Sequence, residues 1–500
     1  MNKKIKIHSI KYNFFMNALL TISGFIFPLI TFPYVSRVLG PAPNGKIAFA
    51  ASVISYFSLL AAMGIPSYGV RKIAEVRDDQ TKLNKALTEL VIINTLFTIL
   101  SYTLLLLLVL IVPNFKKDAT LIAITSIQII FTTFGVDWFY QGIEQYDYIT
   151  ARNLAFKVVA IILMFLFIHN PQDYIIYAGI TVIGNVGSNF LNMIKLRDYA
   201  HFDFHVSLDL KPHLKPIITL FLYSAMTVIY TNLDQVMLGF MTSNKEVGYY
   251  SATIKIENIL TSVITSLGAV MLPRITYYLN HDGIKKFNEL IRKSFNFVLL
   301  ISIPLAIYFF LEADQVIFVL AGKGYERAGI ILQCLIPAII FVGLSSVTAW
   351  QMLIPLKMEK WVLVGSIVGA VLDAGINLMI IPIIGGIGAA LSTVVAECSV
   401  FIIHCIALEK KLHNVLDWGN VCKILIGNIA ALLVLGLLYT VHFPILFSSG
   451  LTLSLKSSFI NCICVGIAYF GVYGITLLVL KERLVLEILG NIRSRFGGRG

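Results

Sequence analysis

Apolar residues run in blocks of about twenty or more, separated by short polar segments, and this rhythm holds from residue 13 to residue 480. A helix crossing about 30 Å of hydrocarbon needs roughly 20 mostly apolar residues. That ruler predicts helices at 13–36, 46–65, 86–112, 119–141, 151–169, 174–194, 216–240, 247–272, 291–311, 328–353, 361–381, 384–406, 422–442 and 457–480. The expected fold class is therefore all-α and polytopic, with about fourteen transmembrane helices. The breaks near 169–174 and 381–384 are the shortest and leave room for re-entrant segments. The opening MNKKIKIHSIKYN precedes an apolar run too long for a signal-peptide core and without a small-residue cleavage site, so it is read as the entry to a retained helix.

Composition agrees. Of 500 residues 57% are hydrophobic and 13% charged, about half the charged share of a soluble domain. Such a chain cannot cover a water-facing surface. The formal charge of +12 becomes informative once its residues are placed on loops. With the N-terminus inside, the basic groups Lys3–Lys11, Arg71–Lys85, Lys195–Lys215, Arg274–Lys293 and Lys481–Arg499 all fall on the inner side, the positive-inside pattern. This predicts a multi-pass protein of the bacterial plasma membrane with both termini cytoplasmic, and it argues against nucleic acid as a partner. The basic tail SRFGGRG is read as a topology signal and a contact for anionic lipid. The six cysteines lie in or beside apolar runs and are read as packing residues rather than disulfide or metal ligands.

An internal echo organises the first twelve helices. Leu39-Gly40 is followed by Gly45, with Arg71 26 residues later; Leu238-Gly239 is followed by Gly248, with Arg274 26 residues later. Asp79 and Asp282 keep the same offset, and Tyr140-Gln141 is echoed by Trp350-Gln351. Six helices separate the copies, so the repeat is parallel, about an axis along the membrane normal. The expected organisation is a six-helix lobe over 1–194, a cytoplasmic linker over 195–215, a second six-helix lobe over 216–406, and two extra helices with a basic tail over 407–500. A cavity between the two lobes is the expected path.

No stretch has the Gly-rich phosphate loop of a nucleotide hydrolase, and no His or carboxylate cluster suggests a metal or acid–base centre. The chain is read as a transporter rather than an enzyme, with no cofactor. The informative residues are charges inside spans: Asp234, Lys255, Glu257, Asp373 and Glu397. Each costs at least about 2.5 to 3.5 kcal/mol at a helix centre and should face protein or a wet cavity. Asp234 and Lys255 sit at matched depth below the loop joining their helices and are expected to approach each other, as a packing pair or as part of a path. Glu257 is about 200° from Lys255 around the helix and points elsewhere. Asp373 and Asn377 are one turn apart and share a face, to pack helices or to line a path. Pro28 and Pro33 interrupt the ladder of the first helix and offer a bend. Arg37 and Lys46 flank the first outer loop, where they attract an anion or anchor the interface.

Several stretches carry a resemblance: SRVLGPAPNGKIAFA from Ser36, GIPSYGVRKIAEVRDD from Gly64, DWFYQGIEQYDYITARN from Asp137, YTNLDQVMLG from Tyr230, VGYYSATIKIEN from Val247 and INLMIIPIIGGIGAALSTVVAE from Ile376. Together they resemble the polysaccharide-transporter family of the multidrug/oligosaccharidyl-lipid/polysaccharide exporter superfamily, the flippases of O-antigen, capsule and exopolysaccharide repeat units. The segment around Trp138, Gln141, Gly142 and Glu144 is the most specific. The resemblance implies lobes opening alternately inward and outward on a lipid-linked oligosaccharide, whose polyprenyl tail stays in lipid, with a proton gradient, a sodium gradient or the membrane potential as the driving force. The expected cationic lining is Arg37, Lys46 and Lys255, with Arg71 and Arg274 at the cytoplasmic mouth; Asp234, Glu257, Asp373 and Glu397 are the coupling candidates. A multidrug or toxin cation antiporter of the same fold is the first alternative. A membrane glycan polymerase or ligase is the second, against which stands the lack of a large external loop.

Overall fold

Every regular element among the described residues is a helix. The computed structural model describes residues 8–281, 284–412, 415, 417–440, 454–487 and 489–490; the tail SRFGGRG and Asp282 lie outside them. The long helices are α1 (Ile10–Leu39), α2 (Pro41–Val76), α3 (Gln80–Ile111), α4 (Ala119–Gly142), α5 (Tyr146–Phe167), α6 (Pro171–Leu196), α7 (Lys211–Met241), α8 (Asn244–His281), α9 (Ile284–Leu311), α10 (Glu326–Leu353), α11 (Glu359–Ile384), α12 (Gly386–Leu412), α13 (Trp418–Thr440) and α14 (Leu455–Val479). Among the described residues thirteen are long and apolar enough to cross a membrane. The remaining long helix, α8, has length to spare at 38 residues and carries Lys255 and Glu257.

The helices are solvated the wrong way round for water. Ile383, Met379, Ile111 and Phe14 are exposed, while Asn192, Ser36, Ser101 and Asn377 are fully buried. Where the solvent is lipid, hydrogen-bonding side chains gain most by facing one another across helices. The protein is thus an all-α, multi-pass membrane protein.

The breaks have local causes. The α5–α6 turn is a capping box in which Asn170 and Asp173 bond each other's backbone ahead of a short 3-10 turn, and Gly385, at φ 64°, separates α11 from α12. Both are tight turns, not re-entrant segments. Two helices carry a left-handed residue within them: α2 runs on past its expected end through Met63 and Gly64 to Val76, and α4 keeps its expected length but breaks at Val136 before Gly142. A π-helical turn closes α10 over Val347–Leu353, and another interrupts α6 over Ile183–Gly187.

The chain forms two compact units, Met1–Gly248 and Tyr249–Gly500. The first unit includes α7, because α7 lies along α2 from end to end. Gly239 takes the ring of Phe49 against its backbone. Ser52 Oγ donates to Gln235 Oε1 at 2.7 Å, Gly64 meets the backbone at Ile217 and Phe221, and Tyr68 bonds His213 at 2.8 Å. In the second unit α13 and α14 are fixed by tyrosines. Tyr308 of α9 donates to the Cys462 carbonyl (2.7 Å), Tyr473 to the Leu300 carbonyl (2.9 Å) and Tyr469 to Asn428 Oδ1 (2.6 Å). The two extra helices therefore dock on α9.

Candidate functional site

Three buried polar clusters in the first unit sit where helices break or where connecting segments must be held. Around the α4 break, Arg152 of α5 is buried; its Nη1 donates to Ser188 Oγ (2.6 Å) and Asn189 Oδ1 (2.7 Å), and its Nη2 donates to Asp137 Oδ1. Asn192 also donates to Asp137 Oδ1 (2.8 Å) and to the Gly135 carbonyl, one of those freed by the break at Val136. Ser188 and Asn189 reach Arg152 directly beyond the π turn of α6, which re-aims one face of that helix. The second cluster centres on Glu144, itself left-handed at φ 58°. It accepts from Arg77 Nη1 (2.7 Å) and Asn13 Nδ2 (3.0 Å), tying α1, the α2–α3 turn and the α4–α5 turn together.

The third cluster holds the linker. Gln80, Asn84, Thr88 and Glu89, along the first turns of α3, bond the backbone of Tyr199, His201, Asp203 and Asp209 in turn. Glu89 also meets His213 Nε2 at 2.9 Å, and His213 Nδ1 meets Tyr68 Oη at 2.8 Å. Burial pushes the nearby Tyr199 hydroxyl up from its ordinary pKa, and that hydroxyl donates to Gln145 Oε1 at 3.2 Å.

The residues singled out from sequence fall as follows. Arg37 is exposed in the last turn of α1, its guanidinium on the Pro33 carbonyl. Lys46 forms an ion pair with Asp118 at 2.6 Å and lies over the Tyr174 ring. Arg71 is exposed and stacks on Tyr68. Asp234 is buried in α7. In the second unit Lys255 and Glu257 are half-buried on α8, with Thr261 donating to Glu257 Oε1 at 2.7 Å; the Arg274 side chain is outside the described residues. Asp373 and Asn377 are both buried on one face of α11, where Ser392 of α12 donates to Asn377 Oδ1 at 2.5 Å. Glu397 is half-buried on α12.

Sequence reasoning passed over Arg152, Lys157, Glu89, His213 and His404. Arg152 and Lys157 both lie inside α5; the first was absorbed into the predicted start of that span. The signal for Arg152 was its place fifteen residues after Asp137 in the most specific motif. His404 is buried on α12, bonded to Thr348 at 2.8 Å.

Buried ionisable and amide side chains on membrane-spanning helices, in two helical units, are a feature shared by membrane transport proteins. Comparison with known proteins is specific about the family. A family model described as "Polysaccharide biosynthesis protein" matches residues 10–279 and one described as "MatE" matches residues 219–379. The chain belongs to the polysaccharide biosynthesis protein family. A relative named "Putative O-antigen transporter" in Escherichia coli (strain K12) is 23% identical over 408 residues, covering 78% of this chain and 95% of its own. One of the same name in Shigella dysenteriae is 23% identical over 355 residues, 70% of this chain and 87% of its own. Among solved structures, the lipid II flippase MurJ in an inward closed conformation matches with a TM-score of 0.60 at 16% identity, covering 93% of this chain and 99% of that one. An inward-facing multidrug resistance MATE family transporter of the MOP superfamily matches with a TM-score of 0.60 at 13% identity, covering 80% and 98%. At these identities the two structures establish the fold.

Proposed function

We propose that this protein is a flippase that moves polyprenyl-diphosphate-linked oligosaccharide repeat units across the bacterial plasma membrane by alternating access, with both termini cytoplasmic. The observation that carries the reading is the family match over residues 10–279, which takes in all but the first nine residues of the first unit. The relatives named as O-antigen transporters support it. A sugar chain and a diphosphate cannot enter hydrocarbon alone, so the path must offer polar and cationic groups while the tail remains in lipid. Arg37 and Lys255, with Arg71 and Arg274, are the cations proposed to draw the diphosphate. Lys46 is neutralised by Asp118 and contributes an ion pair to that path rather than net charge. Asp234, Glu257, Asp373 and Glu397 are the proposed coupling groups: a carboxylate that takes up H+ or Na+ in one state and releases it in the other ties the conformational equilibrium to the gradient.

Purified protein in liposomes, given labelled lipid-linked oligosaccharide with and without ion gradients, tests this. Transfer of the label to the opposite face is the expected result, and neutral substitutions at Arg37, Lys255, Arg71 and Arg274 should slow it while membrane insertion persists. The match of residues 219–379 to the MatE model favours a second reading, a cation antiporter. Label that stays on its original face under every gradient while a cationic dye is pumped would establish that reading instead.

A further inference from the structure

The first half of α1 is held by polar rungs rather than by apolar packing. Asn13 donates to Glu144, Thr150 Oγ1 to the Met16 carbonyl (3.0 Å), and Lys157 Nζ to Ser23 Oγ (2.8 Å). Between residues 11 and 30 only Asn13, Ser23 and Phe27 are buried. The last of these rungs differs from the others. Lys157 lies eleven residues into α5, about 16 Å along the helix from Tyr146. Its partner Ser23 has already given its proton to the Leu20 carbonyl (2.6 Å) and meets the lysine as an acceptor only. An ammonium carries three donors. Among the described residues two of them reach no acceptor and no carboxylate neutralises the charge. Arg152, five residues earlier on the same helix, is by contrast matched by Asp137, Ser188 and Asn189.

Beside Ser23 there is room for a ligand. A Cβ built on Gly24 would meet nothing within 4 Å, and Asn17 and Thr21, on the Gly24 side of α1, are exposed. A cation at this depth with no counter-ion among the described residues calls for one from outside. Small anions stay in water, whereas a lipid phosphate is brought to the site by its own tail, which the exposed Phe14, Phe15 and Ile22 can cover. We propose that Lys157, backed by Ser23, is a phosphate-binding subsite on the α1–α5 face that takes the headgroup of an anionic lipid. Its favoured occupant, the diphosphate of the polyprenyl-linked glycan, rests on the flippase reading. A diphosphate offers two charged oxygens to the two unused donors and strengthens both bonds.

The full chain in detergent, titrated with farnesyl diphosphate, inorganic diphosphate and phosphatidylglycerol, separates the sources. Farnesyl diphosphate should bind at least about tenfold more weakly to K157M and within about threefold of wild type to K157R, while inorganic diphosphate binds weakly throughout. If the wild type ignores farnesyl diphosphate but K157M loses affinity for phosphatidylglycerol, the subsite stands with bilayer phospholipid as its occupant. The flippase reading then answers separately to the liposome assay. Affinities for both lipids that are unchanged in K157M, or a wild type that binds neither, overturn the subsite whether or not the protein flips glycan. Methionine suits a lipid-facing position, and K157Q gives the same comparison should K157M fail to purify as a monodisperse species.

Discussion

Trp138 fills the space that Gly69 leaves: a Cβ on Gly69 would lie 2.5 Å from the indole, and the indole is buried. G69A should destabilise the first unit by about 1 to 3 kcal/mol through overpacking, read as a lowered unfolding temperature in detergent. Gly471, within α14, has nothing within 4 Å of its Cβ position; G471A should be neutral or stabilising by up to about 1 kcal/mol. Two carboxyls outside the spans give opposite pH signatures. Asp79 caps α3 by accepting from the Lys82 and Thr81 amides, which hold its pKa below the ordinary value. Its contribution is present above the ordinary carboxylate pKa and is lost as pH falls through the lowered value. Glu312 is buried with Oε2 unbonded, and burial raises its pKa. Its folded form keeps the proton longer, so stability falls as pH rises from the ordinary value through the raised one. E312Q should abolish that fall and raise the unfolding temperature at neutral pH, whereas D79A should lower the unfolding temperature at neutral pH and narrow its gap to wild type in acid.

At the scale of helices, polar bonds rather than hydropathy decide what belongs with what. The Glu89–His213–Tyr68 chain joins α3, α7 and the second half of α2, and Glu89 also holds the Asp209 amide of the linker. E89Q and H213A should each destabilise the first unit. The double variant should lose less than the sum, with a coupling of about 0.5 to 3 kcal/mol in a double-mutant cycle; strict additivity would show that the pair does not hold α7. The sequence made the helices legible because twenty apolar residues in a row have few other uses, and it made the 137–153 motif conspicuous. It did not show what the motif does. Asp137, Tyr140, Glu144, Gln145 and Arg152 find partners on α1, the α2–α3 turn, α6 and the linker, pairings set by tertiary packing alone. The left-handed break at Val136 was equally invisible, since a β-branched residue is a poor choice for it. It stands because Asn192 and Arg152 secure the chain on either side.

Across the whole molecule the sequence echo and the structure meet at one place and part at another. Gly45 and Gly248, equivalent in the repeat, come face to face: a Cβ on Gly45 would strike the Asn244 carbonyl and the Gly248 amide, and one on Gly248 the Pro41 carbonyl. The two Leu-Gly pairs behave differently, because Gly40 (φ 74°) ends α1 while Gly239 stays inside α7 under Phe49. The side on which the later helices begin turns on α8. Among the described residues thirteen helices qualify by apolarity, and α8 is the long helix that carries the ionisable residues Lys255 and Glu257. Its 38 residues extend about 57 Å, nearly twice the hydrocarbon thickness. Ionisable residues are tolerated in a spanning helix that turns them toward protein or water. If α8 crosses, the basic segment 195–215 and the basic run from Lys285 lie on the same side, as the positive-inside pattern requires; if it does not, every later helix reverses. Reporter fusions at residues 80, 205 and 285 should therefore read cytoplasmic, and those at 115 and 245 external. Fusions at 245 and 285 that read the same side would show that α8 lies outside the membrane and that the two ends of the chain face opposite compartments.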